Sequence, residues 1–522
     1  MMKMNGAEAL IDTLLAAGVR VCFANPGTSE MQFVAALDGR DRMRAVLCLF
    51  EGVATGAADG YGRMAGTPAA TLLHLGAGLG NGVANLHNAR RARTPIVNVV
   101  GDHATYHLQY DAPLTSDIRG IAEPVSDWVR HSQLLEDFAT DAAEAVAAST
   151  TYPGNVATLI APADLAWSEG AQPAELPQMA EVERPPIERI AAAHDALQSG
   201  EDCAILLGGK ALTGEALETA GRIAEATGVT LFCETFPARI ERGGSRPVVQ
   251  RLPYFAEAAM ETLGRFGSVI IAGAEKPVAF FAYPGKPGVL IPDHVNSIGL
   301  SSPYEDVTYA LKALAARLDT PAGTRDAARS EPAQGTSARG PLDPGNLAAV
   351  VARLIPENAI ISDEAATGSL ALFPATMTAR AHDWLTLTGG AIGQGLPLAV
   401  GAAIACPDRK VICLQADGSA MYTPQALWTM AREELNITTL ILNNSSYAIL
   451  NVELSRIGAG SAGPQARALL DLSNPSIDWV SLAQGMGVPG QRATTVKELE
   501  AALKEAIDAP GPRLVEAILP GL

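Results

Sequence analysis

Aromatic residues, basic residues and long apolar runs are all scarce in this 522-residue sequence. Phe, Trp and Tyr together make up only 5% of it. Lys and Arg number 38 against 56 Asp and Glu, which gives a net charge of −18 and argues against a nucleic-acid partner. Since no stretch of 18 uncharged apolar residues occurs, no membrane-spanning helix is expected.

Cysteine is also sparse, with six residues and no CxxC spacing. This pattern predicts free, buried thiols in a reducing compartment rather than a disulfide framework. The N-terminal segment has an Asp at position 12 within its apolar run and lacks both a basic start and a clean cleavage site. It therefore does not resemble a signal peptide, and we expect a soluble, cytoplasmic protein.

What the sequence does contain is a repeated alternation of short apolar runs and longer amphipathic segments. Continuous Val, Ile and Leu runs separated by helical patterns predict parallel sheets that are covered on both faces. Two Pro-, Gly- and Ala-rich stretches, residues 168–186 and 320–346, are predicted linkers. The predicted fold class is therefore α/β, with three doubly wound parallel-sheet domains at residues 1–167, 187–319 and 343–522.

The most specific local signal lies in residues 416–447. Asp417, Gly418 and Ser419 follow the apolar run KVICLQ, are expected to form a tight turn into a helix, and precede a second apolar run that ends at Asn444. In an open parallel sheet, ligands bind at the carboxyl ends of the strands. A carboxylate and an amide there suit a hard cation, and the N–H groups of Gly418 and Ser419 suit a phosphate.

This segment resembles the thiamine diphosphate motif, which begins GDG and ends NN, except that Ala416 replaces the first glycine. The resemblance implies Mg²⁺ ligation by the side chains of Asp417 and Asn444 and by the carbonyl of Ser446. The alternative is an ordinary turn and an ordinary strand exit. The match of both ends, the spacing and the strand context favours the cofactor site.

Glu51 follows another apolar run and begins a helical pattern, EGVATGAADGYGRM. Taken alone, it could be a first-turn charge that is stabilised by the helix dipole. The whole segment, however, resembles the pyrimidine-binding domain of the acetolactate synthase and benzoylformate decarboxylase families. That resemblance implies that Glu51 hydrogen-bonds a ring nitrogen of the aminopyrimidine and relays a proton, and it argues against a glyoxylate carboligase, which lacks this acid.

Further site residues follow from the same resemblance. NPGTSE, residues 25–30, resembles the NPGxxE turn of these families, which places Asn25 and Pro26 at the cofactor and Thr28 at the substrate. His74 falls where the benzoylformate decarboxylases have an active-site histidine. His103 and His107 could shuttle protons near neutral pH, although surface or loop positions are equally compatible with them. His87, within a helical pattern, is predicted to be structural.

The third domain contains LTLTGGAIGQG, which resembles the segment that bends the cofactor into a V. The resemblance implies that Ile392 is the apolar wedge beneath the two rings and that the Gly390 carbonyl accepts from the amino group of the cofactor. Tyr447 is expected at the cofactor as well, and Leu450 and Leu454 after it hint at an uncharged substrate tail.

The predicted function is a thiamine diphosphate- and Mg²⁺-dependent 2-oxo acid decarboxylase with carboligase capacity. A true acetolactate synthase is the alternative, but no recognisable flavin motif occurs in residues 187–319, so FAD is not expected. An NAD-dependent oxidoreductase is remote because Gly76, Gly78 and Gly80 alternate without forming GxGxxG. A non-catalytic regulatory relative is disfavoured because Glu51, Asp417 and Asn444 are intact.

The expected partner is a small-molecule 2-oxo acid. In these families the pyrimidine-binding domain of one subunit faces the diphosphate-binding domain of another. The resemblance therefore implies a homodimer at minimum, with a homotetramer as the expected assembly, and a site to which Glu51 and Asp417 contribute from two chains.

Overall fold

The computed structural model describes residues 3–320, 340–457 and 463–521, and three mainly parallel sheets organise them. This confirms the α/β prediction. The first predicted linker has no helix between residues 168 and 186. Most of the second lies outside the described residues, and helix α12 begins at Pro344, before the predicted end of that linker. The exact domain boundaries stay predictions.

The first sheet has six parallel strands in the order β2-β1-β3-β4-β6-β5. Its strands are β1 Val21–Asn25, β2 Arg44–Leu47, β3 Ala69–Leu73, β4 Ile96–Asp102, β5 Trp128–His131 and β6 Val156–Pro162. Its helices are α1 Gly6–Ala16, α2 Met31–Leu37, α3 Glu51–Ala65, α4 Leu75–Ala92, α5 Ile118–Ala122, α6 Leu135–Thr150 and α7 Ala163–Trp167. Strands β3, β4 and β6 are buried throughout, as continuous apolar runs require.

The middle sheet has five parallel strands in the order β10-β8-β7-β11-β12. The strands of this region are β7 Cys203–Leu207, β8 Thr230–Cys233, β9 Arg239–Arg242, β10 Gln250–Arg251, β11 Ser268–Ala272 and β12 Asn296–Ser301. Its helices are α8 Ile187–Gln198, α9 Gly214–Thr227, α10 Ala256–Leu263 and α11 Val307–Arg317.

The third sheet has seven strands in the order β17-β18-β16-β15-β13-β14-β9. Its later strands are β13 Ala359–Glu364, β14 His382–Thr386, β15 Val411–Ala416, β16 Ile437–Asn443, β17 Gly490–Ala493 and β18 Arg513–Ile518. Its helices are α12 Pro344–Leu354, α13 Ser369–Ala375, α14 Gly395–Ala405, α15 Asp417–Ala420, α16 Ala426–Arg432, α17 Ala448–Arg456, α18 Pro464–Ala468, α19 Trp479–Gly485 and α20 Val496–Asp508.

The first and third sheets have the same topology, which their sequences do not show. Numbered within its own region, the third sheet without β9 has the order 5-6-4-3-1-2, which is the first sheet's 2-1-3-4-6-5 counted from the other edge. Helices α3 and α14 each follow the second strand of their sheet, and they pack against each other. A Cβ at Gly60 would lie 2.0 Å from the Leu398 carbonyl oxygen, so only glycine allows this approach.

Strand β9 departs from the prediction of purely parallel sheets. It belongs to the middle region in sequence but pairs antiparallel with β14, where Ile240 lies opposite Trp384. Both Ile240 and Arg242 are buried, and the Arg242 guanidinium stacks 3.7 Å from the Phe373 ring centroid. Burial lowers the pKa of Arg242 to about 9.

The six cysteines are free thiols, as predicted; five of them are buried, but Cys406 is only half-buried, contrary to the prediction. Across the described ranges, no helix is both long and apolar enough to cross a bilayer.

Candidate active site

Asp417 lies at the carboxyl end of β15, at the edge of the third sheet where ligands of parallel sheets bind. It begins the short helix α15, so residues 417–420 form a helical turn and not the tight turn predicted; the following helix, α16, begins only at Ala426. The Asp417 carboxylate accepts from Gly418 N at 2.9 Å and from Ser445 N at 2.8 Å. Burial raises the pKa of Asp417 to about 6, against the opposing effect of these two N–H groups.

The bond from Ser445 N brings Asp417 to the loop after β16, the neighbouring strand. Ser445 has a positive φ of 52°, which turns this loop sharply. Asn444 Oδ1 accepts from Ser446 N at 3.1 Å, which holds the amide beside the Ser446 backbone. The three predicted metal ligands, Asp417, Asn444 and Ser446, therefore lie on two adjacent loops that a hydrogen bond joins.

This donor set fits a hard divalent cation with a diphosphate. One carboxylate, one amide oxygen and one backbone carbonyl are oxygen ligands of the kind that Mg²⁺ accepts, with phosphate oxygens and water completing its octahedron. Within the described residues, no three His, Cys, Asp or Glu side chains are grouped so that they could hold a metal. The predicted ligands include only one such side chain, Asp417, so this absence does not argue against them.

Gly418 and Tyr447 are in contact at the same edge. A Cβ at Gly418 would lie 2.5 Å from Tyr447 Cε1, so the ring packs directly over the glycine backbone. Ser419 lies in the same helical turn and accepts from Gln415 Nε2 at 2.7 Å. Burial raises the pKa of Tyr447, which keeps its hydroxyl protonated and able to donate.

The loop with Gly390 and Ile392 is held by helix α4 of the first sheet. Asn88 Nδ2 donates to the Ala391 carbonyl at 2.7 Å, and Asn88 Oδ1 accepts from Ala391 N at 3.2 Å. His87 Nε2 lies 3.1 Å from the Gly389 carbonyl oxygen, so the helical histidine predicted to be structural contacts this loop. Gly390 has φ +76° and lies against the Phe280 ring.

The same loop approaches the Asp417 edge through Gly393. The Gly393 carbonyl accepts from Thr423 Oγ1 at 2.8 Å, and a Cβ at Gly393 would lie 2.5 Å from Tyr422 Cβ. Asn85 Nδ2 donates to the Gly52 carbonyl at 2.7 Å and lies 3.3 Å from the Gly393 carbonyl. The loop, the start of α3 and the residues after α15 are therefore contiguous.

Glu51 is the first residue of α3 and is 6% exposed. Its Oε2 accepts from Asn81 Nδ2 at 3.0 Å. A Cβ at Gly78 would lie 3.1 Å from Glu51 Oε1 and 3.4 Å from His74 Cβ. Glu51 and His74 are therefore neighbours across the narrow space that Gly78 leaves.

His74 is oriented by Glu30, the last residue of NPGTSE. His74 Nδ1 lies 2.8 Å from Glu30 Oε2, and the same carboxylate accepts from Gly27 N at 2.7 Å and from Ser29 Oγ at 2.8 Å. Glu30 is 3% exposed. Glu30 engages Nδ1 of His74, so Nε2 is the ring nitrogen that this contact leaves unused.

The remaining predicted residues of the first sheet lie around this turn. Asn25 ends β1, Pro26 follows it, and Thr28 begins a 3₁₀ turn with its side chain exposed. His103 and His107 lie with ring centroids 5.5 Å apart just beyond β4. His103 lies near the His74 group, because Gly101, the next-to-last residue of β4, packs against the Glu30 carboxylate.

Three residues of this region, Glu30, Asn88 and Glu364, were not predicted from the sequence. Glu30 ends the NPGTSE motif, so the sequence does contain a signal for it. Glu364 ends the apolar run NAIISDE, and a buried carboxylate at a strand end could have been noticed. Asn88 has no local signal, since its partner lies 303 residues away in the sequence.

A cavity of about 540 Å³ lies between the first and middle sheets and extends to the Gly390 loop, because His87, Gly389 and Phe280 line it. Lys210, Glu234, Glu275 and Tyr254 are among its lining residues.

The oxygen donors at this sheet edge and the glycine loop beside them are suited to holding a diphosphate cofactor. Comparison with known proteins agrees with this class. The family model described as "Thiamine pyrophosphate enzyme, N-terminal TPP binding domain" matches residues 4–124, and "Thiamine pyrophosphate enzyme, C-terminal TPP binding domain" matches residues 366–517.

Two curated relatives and one solved structure resemble nearly the whole chain. "Putative acetolactate synthase large subunit IlvX" of Mycobacterium tuberculosis is 53% identical, over 99% of this chain and 100% of its own length. "Benzoylformate decarboxylase" of Pseudomonas aeruginosa is 28% identical, over 96% of each chain. The structure of Rhodococcus jostii thiamine diphosphate-dependent 4-hydroxybenzoylformate decarboxylase has a TM-score of 0.87 at 26% identity, covering 99% of this chain and 100% of that one.

The chain belongs to the thiamine pyrophosphate enzyme family.

Proposed function

We propose that this enzyme decarboxylates a 2-oxo acid with thiamine diphosphate and Mg²⁺ and can join the resulting acyl fragment to a second carbonyl. The observation that carries the proposal is the bond from Ser445 N to Asp417. It gathers a carboxylate, an amide and a backbone carbonyl at one sheet edge. Of the two predicted phosphate donors, Gly418 N already donates to Asp417, so we assign the phosphate contact to Ser419 N in the same turn of α15.

When bound, the cofactor supplies an electron sink for the pair that is left behind when CO₂ departs. In this proposal, Asp417, Asn444 and Ser446 hold the metal, and the Gly390 carbonyl and the Ile392 side chain position the pyrimidine and thiazolium ends. Glu51 exchanges a proton with the aminopyrimidine. Its burial supports that role, since a hydrogen bond in a poorly solvated setting is stronger than one in water.

The substrate side is assigned to His74, with Thr28 and His103 near it and His107 beyond. The Glu30 contact fixes the His74 ring, so Nε2 can present or accept a proton at a defined position. The decarboxylase names of two relatives that match the whole chain support a 2-oxo acid as the substrate class.

The test is to incubate the purified protein with a panel of 2-oxo acids, with and without thiamine diphosphate and Mg²⁺, and to identify products by NMR. Cofactor-dependent formation of an aldehyde or an acyloin is the expected result. No turnover of any panel member by a protein that binds the cofactor would contradict the proposed reaction, though not the family.

Acetolactate synthesis is the second candidate, because the 53% identical relative carries that name. It predicts that pyruvate alone gives acetolactate instead of free aldehyde. We propose that FAD is not a cofactor, so the purified protein should be colourless. A visible flavin spectrum would favour the synthase.

We further propose that the protein is cytoplasmic and acts as a homodimer at minimum, with a homotetramer as the expected assembly. Exposed apolar residues close to the site, Leu49, Met421 and Tyr422, support a second copy there, because large apolar side chains beside a functional edge suit an interface.

A further inference from the structure

Glu364, the last residue of β13, lies beneath the loop that carries Gly390 and Ile392. Its Oε1 accepts from Gly393 N at 2.6 Å and its Oε2 accepts from Gly395 N at 2.6 Å. The side chain is 3% exposed. One carboxylate therefore binds the backbone on both sides of Gln394, at the point where the loop passes into helix α14.

The same carboxylate is joined to the diphosphate edge. Gln415 Nε2 donates to Glu364 Oε2 at 2.9 Å and to Ser419 Oγ at 2.7 Å. Gln415 is fully buried and lies two residues before Asp417 in the sequence. A continuous hydrogen-bonded path therefore runs from the glycine loop through Glu364 and Gln415 to the helical turn that begins at Asp417.

The chemistry of the path calls for an ionised carboxylate. Gly393 N, Gly395 N and Gln415 Nε2 are all donors, and a carboxylate accepts with both oxygens. Burial raises the pKa of Glu364, and the Gly395, Gln415 and Gly393 bonds oppose that rise. The hydrogen-bond partners of the Glu364 carboxylate are all neutral donors, so its charge is not there to pair with a cation. The carboxylate instead holds two backbone N–H groups and one side-chain amide at fixed positions relative to one another.

We propose that Glu364 is a positioning residue that fixes the distance between the Gly390–Ile392 loop and the Asp417 turn. The inference rests on the proposed cofactor site, because those two segments are assigned to its two ends. Asn88 holds the outer side of the loop at Ala391, and Glu364 holds the inner side at Gly393 and Gly395. The cofactor would thus meet a preformed frame and not a loop that it must order.

The test is Glu364→Gln, which replaces one acceptor oxygen with an NH₂ group facing an N–H donor. In the protein without cofactor, hydrogen–deuterium exchange of the segment that contains Gly393 and Gly395 should accelerate. The dissociation constant for thiamine diphosphate with Mg²⁺, from fluorescence titration, should rise about 10- to 100-fold, as expected when a charged acceptor is lost. Asp141→Asn is the matched control, because Asp141 is buried and accepts from Ser132 Oγ far from the loop.

Gln415→Leu is the second variant. It keeps both glycine bonds to Glu364 but cuts the path to Ser419. It should weaken cofactor binding without faster exchange at Gly393 and Gly395, and it tests the proposal even if Glu364→Gln fails to fold.

The outcomes separate the inference from the proposed function. Unchanged exchange in Glu364→Gln, or cofactor binding by both variants as tight as in the wild type, would overturn the positioning role. Wild-type protein that binds no thiamine diphosphate would instead overturn the cofactor site. The exchange comparison would then still decide whether Glu364 fixes the loop.

Discussion

A substitution at Glu51 can distinguish a proton-transfer residue from a first-turn charge that only stabilises helix α3. Glu51→Gln should lower kcat by about 10²- to 10⁴-fold, because a positioned proton-transfer group contributes that much. Cofactor affinity should change far less, since the metal and diphosphate ligands are untouched. Steady-state rates at saturating cofactor measure this effect.

The matched control is Glu136→Gln, in the first turn of α6 and exposed to solvent. It removes the same kind of helix-dipole charge and should leave kcat unchanged. Equal activity of Glu51→Gln and wild type would reduce Glu51 to a structural residue.

Glu234, on the wall of the cavity between the first and middle sheets, should make stability depend on pH. Burial raises the pKa of Glu234 to about 7; Arg93 opposes the rise and Glu275 adds to it. Because the native pKa lies above the unfolded value near 4.5, this group's contribution to stability is complete below pH 4.5. It is lost as the pH rises toward 7.

Glu234→Gln should therefore be more stable than wild type at pH 8 by about 1–2 kcal/mol, allowing for partial solvent screening, with little difference near pH 4.5. Thermal unfolding midpoints at the two pH values measure it. Glu136→Gln, an exposed change at a residue that does not line this cavity, is the control. If the difference in unfolding midpoint between Glu234→Gln and wild type were the same at both pH values, Glu234 would not titrate in this range.

Among single residues, the sequence predicted those that a pattern in the neighbouring residues marks. Asp417 and Asn444 follow apolar runs, and the fold brings them together as expected. Glu364 and Asn88 were not predicted, because their partners are backbone groups of segments distant in the chain. A side chain that binds a distant backbone amide leaves no periodic pattern in its own neighbourhood.

Among the elements, the contact between α3 and α14 is the tightest helix pair described. A Cβ at Gly401 would lie 1.8 Å from the Ala57 carbonyl oxygen. Gly401→Ala should therefore destabilise the protein by about 1–3 kcal/mol, as overpacking does. Denaturant or thermal unfolding measures the change.

Gly80→Ala, within α4 and with open space around its Cβ position, is the control. It should stabilise by about 0.5–1 kcal/mol, because alanine replaces glycine inside a helix. Equal effects of the two changes would mean that the two helices can separate at little cost.

The strands show what patterns of sequence can and cannot reveal. The apolar run KVICLQ correctly located β15, and the apolar run before Asn444 correctly located β16. Strands β5, β14 and β17 were among those not predicted, because they contain polar or aromatic residues and few consecutive Val, Ile or Leu. β9 was missed for a different reason: RIER becomes a strand only by pairing with residues more than 140 positions later.

For the whole molecule, the central question is whether one site draws on two chains. Glu51→Gln and Asp417→Asn should each be inactive alone. If a dimer contributes Glu51 and Asp417 from different chains, mixing and subunit exchange would create one intact site per mixed dimer and restore about a quarter of wild-type activity. Activity of the mixture is compared with that of each variant treated alike.

No recovery, despite subunit exchange demonstrated by mass spectrometry, would place both residues of each site in one chain. The first and third sheets share one topology, which bears on both arrangements, a site within one chain and a site between two chains. His74 follows the third strand of the first sheet and Asp417 follows the third strand of the third sheet, so the proposed substrate-side histidine and the proposed metal ligand occupy equivalent places in two copies of one architecture.

The antiparallel strand β9 also limits how this chain can be divided. A fragment of residues 343–522 would keep every strand of the third sheet except β9, and so would leave β14 with an unpaired edge beside the buried Trp384 ring. Such an edge is a template for aggregation. Recombination between relatives would therefore succeed more often with a crossover before Arg239 than with one in the second linker, because the earlier crossover inherits β9 and β14 together.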